Sequence, residues 1–182
     1  MAKLEYDSTG RLLFTEEMRK EYTLLMPQML PIHFGFFVKV LRECGYKVDM
    51  LTNESRNVID NGLKYVHNDA CYPALLVIGQ LIDAVQNSGY DPHKVALLIT
   101  QTGGGCRASN YIHLLRKALE KAGFDYVPVI SFNLSGMESN PGFSLTIPLI
   151  RKSVAGVIYG DLLMLLSNQI RPYELVKGET DV

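Results

Sequence analysis

The sequence predicts an α/β protein in which a parallel sheet of about four strands lies between two layers of helices. Short apolar runs alternate along the chain with segments that carry apolar residues at helical spacing. The run VALLIT at 95–100 is apolar throughout, as expected for a strand buried on both faces of a parallel sheet. With 182 residues, 47% of them apolar, the chain can bury such a core without disulfides.

The first half of the chain predicts two strands and three helices after a polar lead-in at residues 1–21. The apolar run YTLLM at 22–26 indicates a buried strand. Apolar residues then recur at helical spacing from 32 to 44, and Gly45 ends this helix. Apolar and polar residues alternate in YKVDML at 46–51, which predicts a second strand. Residues 53–70 predict a short helix and a loop. The run at 73–86 predicts a buried helix that begins near Pro73.

The second half continues the same alternation of strands and helices. A glycine-rich loop follows the strand at 95–100, and a helix is predicted from 109 to 122, ended by Gly123. The run YVPVISF at 126–132 predicts a fourth strand, placed at a sheet edge because Pro128 cannot donate a ladder hydrogen bond. Strands that alternate with helices imply right-handed crossovers. We therefore expect a doubly wound, flavodoxin-like sheet with strand order 2-1-3-4.

The C-terminal part departs from this rhythm. Residues 143–170 are strongly apolar and are predicted to be helical. We expect such a segment to pack on the sheet, to dock onto a partner or to drive self-association. The tail RPYELVKGETDV is polar and closes no element, which suggests an excised piece of a longer polypeptide. The predicted division is a lead-in at 1–21, a flavodoxin-like domain at 22–142 and a C-terminal helical appendage at 143–182.

Composition excludes several classes of protein. The formal net charge of -1 argues against a nucleic-acid partner. The polar N-terminus does not resemble a signal peptide, and Arg151, Lys152 and Asp161 interrupt the most apolar stretch, which argues against a membrane span. Three widely spaced cysteines indicate free thiols in a reducing compartment, and therefore a cytoplasmic protein.

Two segments of unusual composition fall where the predicted strands end, which is where open parallel sheets bind ligands. One is HNDACYP at 67–73, just before a helix, and the other is GGGCRASN at 103–110, just after a strand. Each places a cysteine, Cys71 or Cys106, near a helix N-terminus, where free N–H groups and the helix dipole stabilise a thiolate. Thiolates are the ligands that iron, zinc or a disulfide partner requires.

The third cysteine does not belong to this pair. Cys44 ends the first long helix at the opposite pole and is most simply a small core residue. Two thiols are fewer than the three or four ligands of a zinc or iron–sulfur site. His67 is a candidate further ligand, although a histidine in such a loop is more often a hydrogen-bonding residue. We therefore expect another domain or chain to complete the site.

The glycine run allows a second kind of ligand. Gly103, Gly104 and Gly105 can cradle a phosphate before a helix, or let the backbone approach a cluster closely. The run lacks the Lys-Ser/Thr ending of a P-loop and the spacing of a dinucleotide motif, so this signal is weak. Arg107 and Asn110 are candidates to bind a phosphate or carboxylate of an acyl-CoA, with a surface ion pair equally compatible for the arginine. A cysteine phosphatase is rejected, because no arginine stands several residues beyond Cys106.

The two cysteine segments resemble a known family. The segment DACYPALLVIGQ at 69–80 is similar to the CxPxKxxxGxxxEAL segment of proteins related to 2-hydroxyacyl-CoA dehydratases and their activases. The segment TGGGCRASNY at 102–111 is similar to the GGxCRxxxY segment of the same family. The resemblance covers about 22–179 and includes RPYE at 171–174. It departs from the family at Ala74, where a lysine is expected, and in lacking an ATPase phosphate motif.

The resemblance implies a function and a cofactor. In that family, an activase region of the sugar-kinase and actin superfamily is joined to dehydratase-like α/β regions. The dehydratases hold a [4Fe–4S] cluster on cysteines and remove water from (R)-2-hydroxyacyl-CoA by a ketyl-radical route. Cys71 and Cys106 then correspond to cluster ligands, and the chain is a dehydratase-like module that works with an activase partner or further domains. The alternative is a scaffold or interaction domain whose cysteines bind zinc or nothing.

Overall fold

The sheet has four strands that all run parallel. The computed structural model describes residues 2–67, 69–101, 104–133 and 138–181, apart from the side chains of Arg107 and Asp181. The strands are β1 (Thr23–Met26), β2 (Lys47–Met50), β3 (Val95–Thr100) and β4 (Val129–Phe132). They lie in the order β2-β1-β3-β4, with β1 paired to both β2 and β3. The predicted parallel sheet and its strand order are confirmed.

Helices cover both faces of this sheet. In chain order they are α1 (Glu16–Glu21), α2 (Pro31–Glu43), α3 (Arg56–Tyr65), α4 (Tyr72–Asn87), α5 (Tyr111–Ala122) and α6 (Ile147–Ile170). Helices α4 and α5 share one buried cluster with the strands, in which Ile78, Leu97 and Leu115 are almost inaccessible. Helices α1 and α2 share the other cluster, on the opposite face, with α6 packed against α2. The molecule is therefore a flavodoxin-like α/β protein with an additional C-terminal helix.

Local chemistry explains where the elements differ from the predicted boundaries. Strand β4 begins three residues later than predicted, because the chain at Pro128 offers only its carbonyl, which accepts from the Leu97 N–H at 2.8 Å. Tyr126 stacks instead on His93, with ring centroids 4.5 Å apart. Helix α6 begins only at Ile147, because the Thr146 hydroxyl accepts from the N–H of Leu149 and caps the helix.

The polar lead-in packs on the sheet. Phe14 and Met18 are at most 1% exposed and lie in the same cluster as the buried face of α2. Phe14 also joins the lead-in to the segment before α6, since its N–H donates to Asn140 Oδ1 at 3.1 Å and its carbonyl accepts from Gly142 N at 2.8 Å. A Cβ on Gly142 would lie 2.2 Å from the Thr15 carbonyl oxygen. Only glycine therefore allows this close approach.

A carboxylate between two arginines closes the β4 edge of the sheet. Glu138 accepts from Arg116 at 2.6 and 2.8 Å and from Arg11 at 3.1 Å. Arg116 also donates to the Val129 carbonyl at 3.3 Å, so it covers a backbone acceptor of the edge strand. Burial raises the pKa of Glu138, but the hydrogen bond and charge of Arg116 and the charge of Arg11 outweigh it, and the pKa lies below the usual 4.5.

We expect Glu138→Gln to lower the free energy of unfolding by about 1–3 kcal/mol near neutral pH, because it removes charge-assisted hydrogen bonds. A carboxylate whose folded pKa is depressed stabilises the fold above its unfolded pKa, and that contribution is lost as pH falls through the folded pKa. The difference in the free energy of unfolding between wild type and variant should therefore be largest near pH 7 and should disappear below the usual pKa of 4.5. Urea titrations at several pH values measure it. The exposed Glu120→Gln on α5 is the control and should change little.

Among the helices in the described ranges, none combines the length and the hydropathy that crossing a bilayer needs.

Candidate functional site

The candidate site lies at the edge where the strands end and where α4 and the helical segment leading into α5 begin. Cys71 is the N-cap residue of α4. Cys106 is the N-cap residue of a short 3₁₀ helix, Arg107–Asn110, that continues directly into α5. Both cysteines are exposed and neither forms a disulfide. We call Cys71 and Cys106 together the thiol pair.

Cys71 is held at its position by the start of α4. Its carbonyl accepts from the N–H groups of Ala74 at 2.9 Å and Leu75 at 3.3 Å, which is the first turn of the helix. Pro73 suits this turn because its nitrogen has no proton that would need a partner. The Cys71 sulfur makes no capping bond to the helix and lies 3.1 Å from the hydroxyl oxygen of Tyr111.

Cys106 uses its sulfur as a cap. Its Sγ accepts from the N–H of Ala108 at 3.5 Å, at the start of the 3₁₀ helix. Its carbonyl accepts from the Ser109 hydroxyl at 2.7 Å. The sulfur therefore takes the place that a side-chain oxygen has at most N-cap positions.

Tyr111, the first residue of α5, connects the two cysteines. It is only 5% exposed, and burial, the contact with Cys71 and the charges of Cys71 and Cys106 raise its pKa to about 12. The phenol therefore keeps its proton at neutral pH and can donate to a Cys71 thiolate. Cys71 contacts Tyr111, and Cys106 begins the helical segment that leads directly into Tyr111, so both cysteines lie at the same edge. Sequence reasoning assigned Tyr111 no role, although it closes the GGGCRASNY segment.

A chain of polar side chains supports the loop before Cys106. Gln101 follows β3, and its side-chain amide donates to the Ser109 carbonyl at 3.2 Å. The side-chain oxygen Oε1 of Gln101 accepts from the Ser131 hydroxyl at 2.6 Å. The oxygen of that hydroxyl in turn accepts from the side-chain amide of Asn133 at 2.6 Å. These bonds fix the loop of Cys106 to the end of β4. A cavity of about 460 Å³, which Ser131 and Asn133 line, opens at the same place.

The glycine run is only partly described. Gly103 lies outside the described residues. Gly104 and Gly105 have no positive φ, and a Cβ on either would meet nothing within 4 Å. Neither backbone conformation nor packing therefore requires glycine at these two positions. Their backbone faces open space, so a ligand can approach it directly.

The remaining candidates differ in how well they are placed. Asn110 is exposed at the junction of the 3₁₀ helix and α5, and its side chain makes no capping bond. Of Arg107 the structure describes the backbone, which begins the 3₁₀ helix, and the predicted role of its guanidinium lies outside the described side chains. His67 is exposed, and its Nδ1 accepts from the Asp69 N–H at 3.2 Å. That bond leaves only Nε2 of His67 to bind a metal, and His67 stays a predicted ligand.

Cys44 lies away from the thiol pair. It caps the C-terminus of α2, and its carbonyl accepts from Arg19 at 3.0 Å. The residue is half-buried against the cluster on the α2 face of the sheet. Because α2 starts where β1 ends and runs back along the sheet, Cys44 lies at the opposite pole from Cys71 and Cys106. Cys44 therefore serves as an internal control for experiments on the thiol pair.

The donor chemistry of this edge fits a soft metal, with an incomplete ligand set. Thiolate sulfurs select iron–sulfur clusters or zinc over hard cations. Within the described ranges, no group of three or more His, Cys, Asp or Glu side chains could hold a metal ion. A tetrahedral zinc or a [4Fe–4S] cluster takes four ligands, so two thiols would be half of the number that either group needs.

Comparison of the chain with family models, with curated proteins and with solved structures found no match.

We expect Tyr111→Phe to slow the alkylation of Cys71 by iodoacetamide about three- to ten-fold. The lost hydroxyl no longer donates to the attacking thiolate, and a hydrogen bond to a charged group is worth about 1.5–3 kcal/mol when buried and less at an exposed sulfur. The rate is measured in a Cys44→Ala, Cys106→Ala background, where Cys71 is the one thiol. Tyr72→Phe, at the exposed neighbour of Cys71, is the matched control. Equal rates in the two variants would contradict the assigned contact.

Proposed function

We propose that this protein is a dehydratase-like module in which Cys71 and Cys106 are two of the ligands of a [4Fe–4S] cluster. The observation that carries the proposal is the thiol pair: two exposed cysteines, each at the start of a helical segment, with Cys71 in contact with Tyr111 of the segment that Cys106 begins. The resemblance to proteins related to 2-hydroxyacyl-CoA dehydratases favours iron–sulfur over zinc. When bound, the cluster supplies the one-electron transfer that radical dehydration of an acyl-CoA requires.

Each residue of the edge has a role in this proposal. Cys71 and Cys106 hold the cluster from the N-cap positions of α4 and of the helical segment that leads into α5. The Tyr111 hydroxyl lies 3.1 Å from the Cys71 sulfur and can donate to it when that sulfur binds the cluster, and hydrogen bonds to cluster sulfurs are a known means of setting a reduction potential. The open backbone at Gly104 and Gly105 allows a cluster to approach without steric conflict.

The substrate side of the proposal rests on the loop after β3 and the end of β4. The cavity of about 460 Å³ beside Ser131 and Asn133 shares the Gln101 hydrogen-bond chain with the loop of Cys106. The cavity is lined by polar groups such as Asn133 and by apolar ones such as Phe143, which suits a short acyl chain that carries a polar group. We propose that an acyl-CoA presents its acyl end there, with Arg107 and Asn110 near its charged groups.

The missing ligands come from outside the chain in this proposal. Two thiols per chain require two further ligands for a [4Fe–4S] cluster. We propose that other domains of a longer polypeptide, or an activase-type partner, complete the site and deliver electrons. Exposed cysteines that form no disulfide also suit the reducing cytoplasm, where we propose that the protein acts.

The test is the metal content after anaerobic reconstitution. We expect the protein, incubated with iron, sulfide and a thiol under anaerobic conditions and then desalted, to be brown and to retain iron and sulfide. Added small thiols stand in for the ligands that the chain lacks. Air should bleach the colour, because two protein ligands leave the cluster open to oxidation. Protein that retains no iron but binds zinc tightly in the same assay would favour the scaffold alternative.

A further inference from the structure

Helix α6 packs along α2 in the opposite direction and then extends beyond it. Lys152 pairs with Glu43 near the end of α2, and Asp161 Oδ1 lies 2.9 Å from Nε2 of His33 in its first turn. A Cβ on Gly160 would lie 2.5 Å from the His33 ring, so the two helices are in close contact there. Residues 162–170 therefore project about 13 Å past the start of α2. We call residues 149–160 the covered half and residues 162–170 the overhang.

Two apolar stripes run along α6, and only one of them is covered. Leu149, Ser153, Gly156 and Gly160 are buried against α2. On the opposite side, Val154, Ile158, Leu162 and Leu165 form a continuous stripe at spacings of four, four and three residues, with 50%, 64%, 49% and 54% of each side chain exposed. We call these four residues the free stripe. The first five residues of the overhang, 162–166, are all apolar, which is typical of a helix turn that is buried within a larger assembly.

We propose that the free stripe is the interface of a two-fold symmetric dimer of this chain, with α6 antiparallel to α6 of the second copy. The two-fold axis passes α6 at the level of Gly160, on the side that faces away from α2. It brings Ile158 opposite Leu162 of the second copy and Ala155 opposite Leu165 of the second copy. The same axis lays the overhang of each chain on the covered half of the other. The overhang of each chain then covers the exposed side of the covered half of the other chain, and this reciprocity is the self-complementarity that an isologous interface requires.

Charge favours the antiparallel arrangement. The basic residues of α6, Arg151 and Lys152, both lie near its N-terminus, and Asp161 is its one acidic residue. In an antiparallel pair, Arg151 lies beside the C-terminal turn of the second α6, whose carbonyl groups carry partial negative charge. In a parallel pair, the basic ends of the two helices would meet and repel each other.

The extent of the exposed apolar surface also favours pairing. Ten large apolar side chains of α6 are 39–74% exposed. Exposed apolar residues that are contiguous mark an interaction surface, whereas single scattered ones do not. Pairing along α6, which is about 36 Å long, covers those of the ten that face the second copy. The thiol pair lies on the α4–α5 face of the sheet, so the dimer leaves it accessible.

Light scattering after size-exclusion chromatography tests the dimer. At micromolar concentration we expect a mass of twice the 20.4 kDa of one chain. Ile158→Glu places a carboxylate in the free stripe of each copy and should raise the dissociation constant on the order of 100-fold. Leu63→Glu, at a 54% exposed leucine on α3, is the control and should stay dimeric. Circular dichroism checks that both variants are folded.

Disulfide trapping tests the orientation. An Ile158→Cys chain is mixed with a Leu162→Cys chain, both with Cys44, Cys71 and Cys106 replaced by alanine, and the mixture is oxidised. Opposing positions of an antiparallel pair lie within disulfide reach, so we expect the mixed 158–162 dimer to dominate. A monomeric wild type, a dimer that Ile158→Glu leaves intact, or dominant 158–158 cross-links would each overturn the proposal.

Discussion

Gly79→Ala is expected to destabilise the protein by about 3 kcal/mol or more, a large fraction of the stability of a domain of this size. Gly79 lies in the middle of α4, where α3 crosses it so closely that a Cβ would be 2.0 Å from the Val58 carbonyl oxygen and 2.9 Å from the Gly62 nitrogen. Both atoms belong to the backbone of α3, so neither can move without displacing that helix. The loss is measured as a lower midpoint of urea unfolding.

Gly35→Ala is the matched control for this prediction. Gly35 also lies inside a helix, α2, but a Cβ there would meet nothing within 4 Å. Alanine is favoured over glycine within a helix, so this variant should gain about 0.5–1 kcal/mol. A loss of stability in Gly79→Ala together with a gain in Gly35→Ala would identify the contact between α3 and α4 as the cause. Equal effects would show that α3 and α4 are not in backbone contact at Gly79.

Replacement of either member of the thiol pair is expected to abolish cluster binding. Cys71→Ala or Cys106→Ala leaves one protein ligand, which cannot hold a [4Fe–4S] cluster through desalting. Cys44→Ala keeps both ligands, because Cys44 lies at the other pole of the sheet, on the α2 face. Iron and sulfide per chain, and the visible absorption after anaerobic reconstitution, are the measured quantities.

These variants also separate the proposed site from nonspecific iron binding. All three cysteines lie outside the fully buried core, so each alanine variant should unfold at about the wild-type midpoint. A loss of colour in Cys44→Ala alone would place the cluster at a different cysteine. Colour retained in every single variant would show that the iron is held without the thiol pair.

The fold could be predicted because its signals are local. The continuous apolar run of β3 and the glycines at positions 45 and 123 determine strands and helix ends within a few residues of sequence. Gly45 and Gly123 have φ of 85° and 80°, the left-handed conformation that ends a helix and that glycine adopts most easily. Pro128 likewise placed β4 at the edge of the sheet, where the structure has it.

Contacts between distant segments could not be predicted in the same way. Tyr111 is 40 residues from Cys71, and only the packing of α4 against α5 brings the phenol to the sulfur. The packing of Phe14 on the sheet depends on Asn140 and Gly142, more than a hundred residues later. The sequence shows Gly79 as a glycine in an apolar helix. The reason that glycine is needed there, the close approach of the α3 backbone, appears only in the structure.

The sequence could indicate the candidate site only through residue type and loop position. Cys71 and Cys106 were identified because each is a thiol in a polar loop at a helix start, and the structure has each as an N-cap residue, with Cys71 in contact with Tyr111. The support of that edge by Gln101 and Ser131 was not predicted, since polar residues at strand ends are common. The further ligands that the proposed cluster requires would come from outside this chain, so its sequence cannot predict them.

Cobalt(II) titration under anaerobic conditions tests most directly whether Cys71 and Cys106 bind one metal ion together. Cobalt bound to thiolate absorbs in the near ultraviolet through sulfur-to-metal charge transfer, so the band reports thiolate ligands. We predict a saturable band at one ion per chain in wild type and in Cys44→Ala, and its near-complete loss in Cys71→Ala and in Cys106→Ala. Half of the band in each of those two variants, with unchanged affinity, would contradict the account, because it would show two separate thiols.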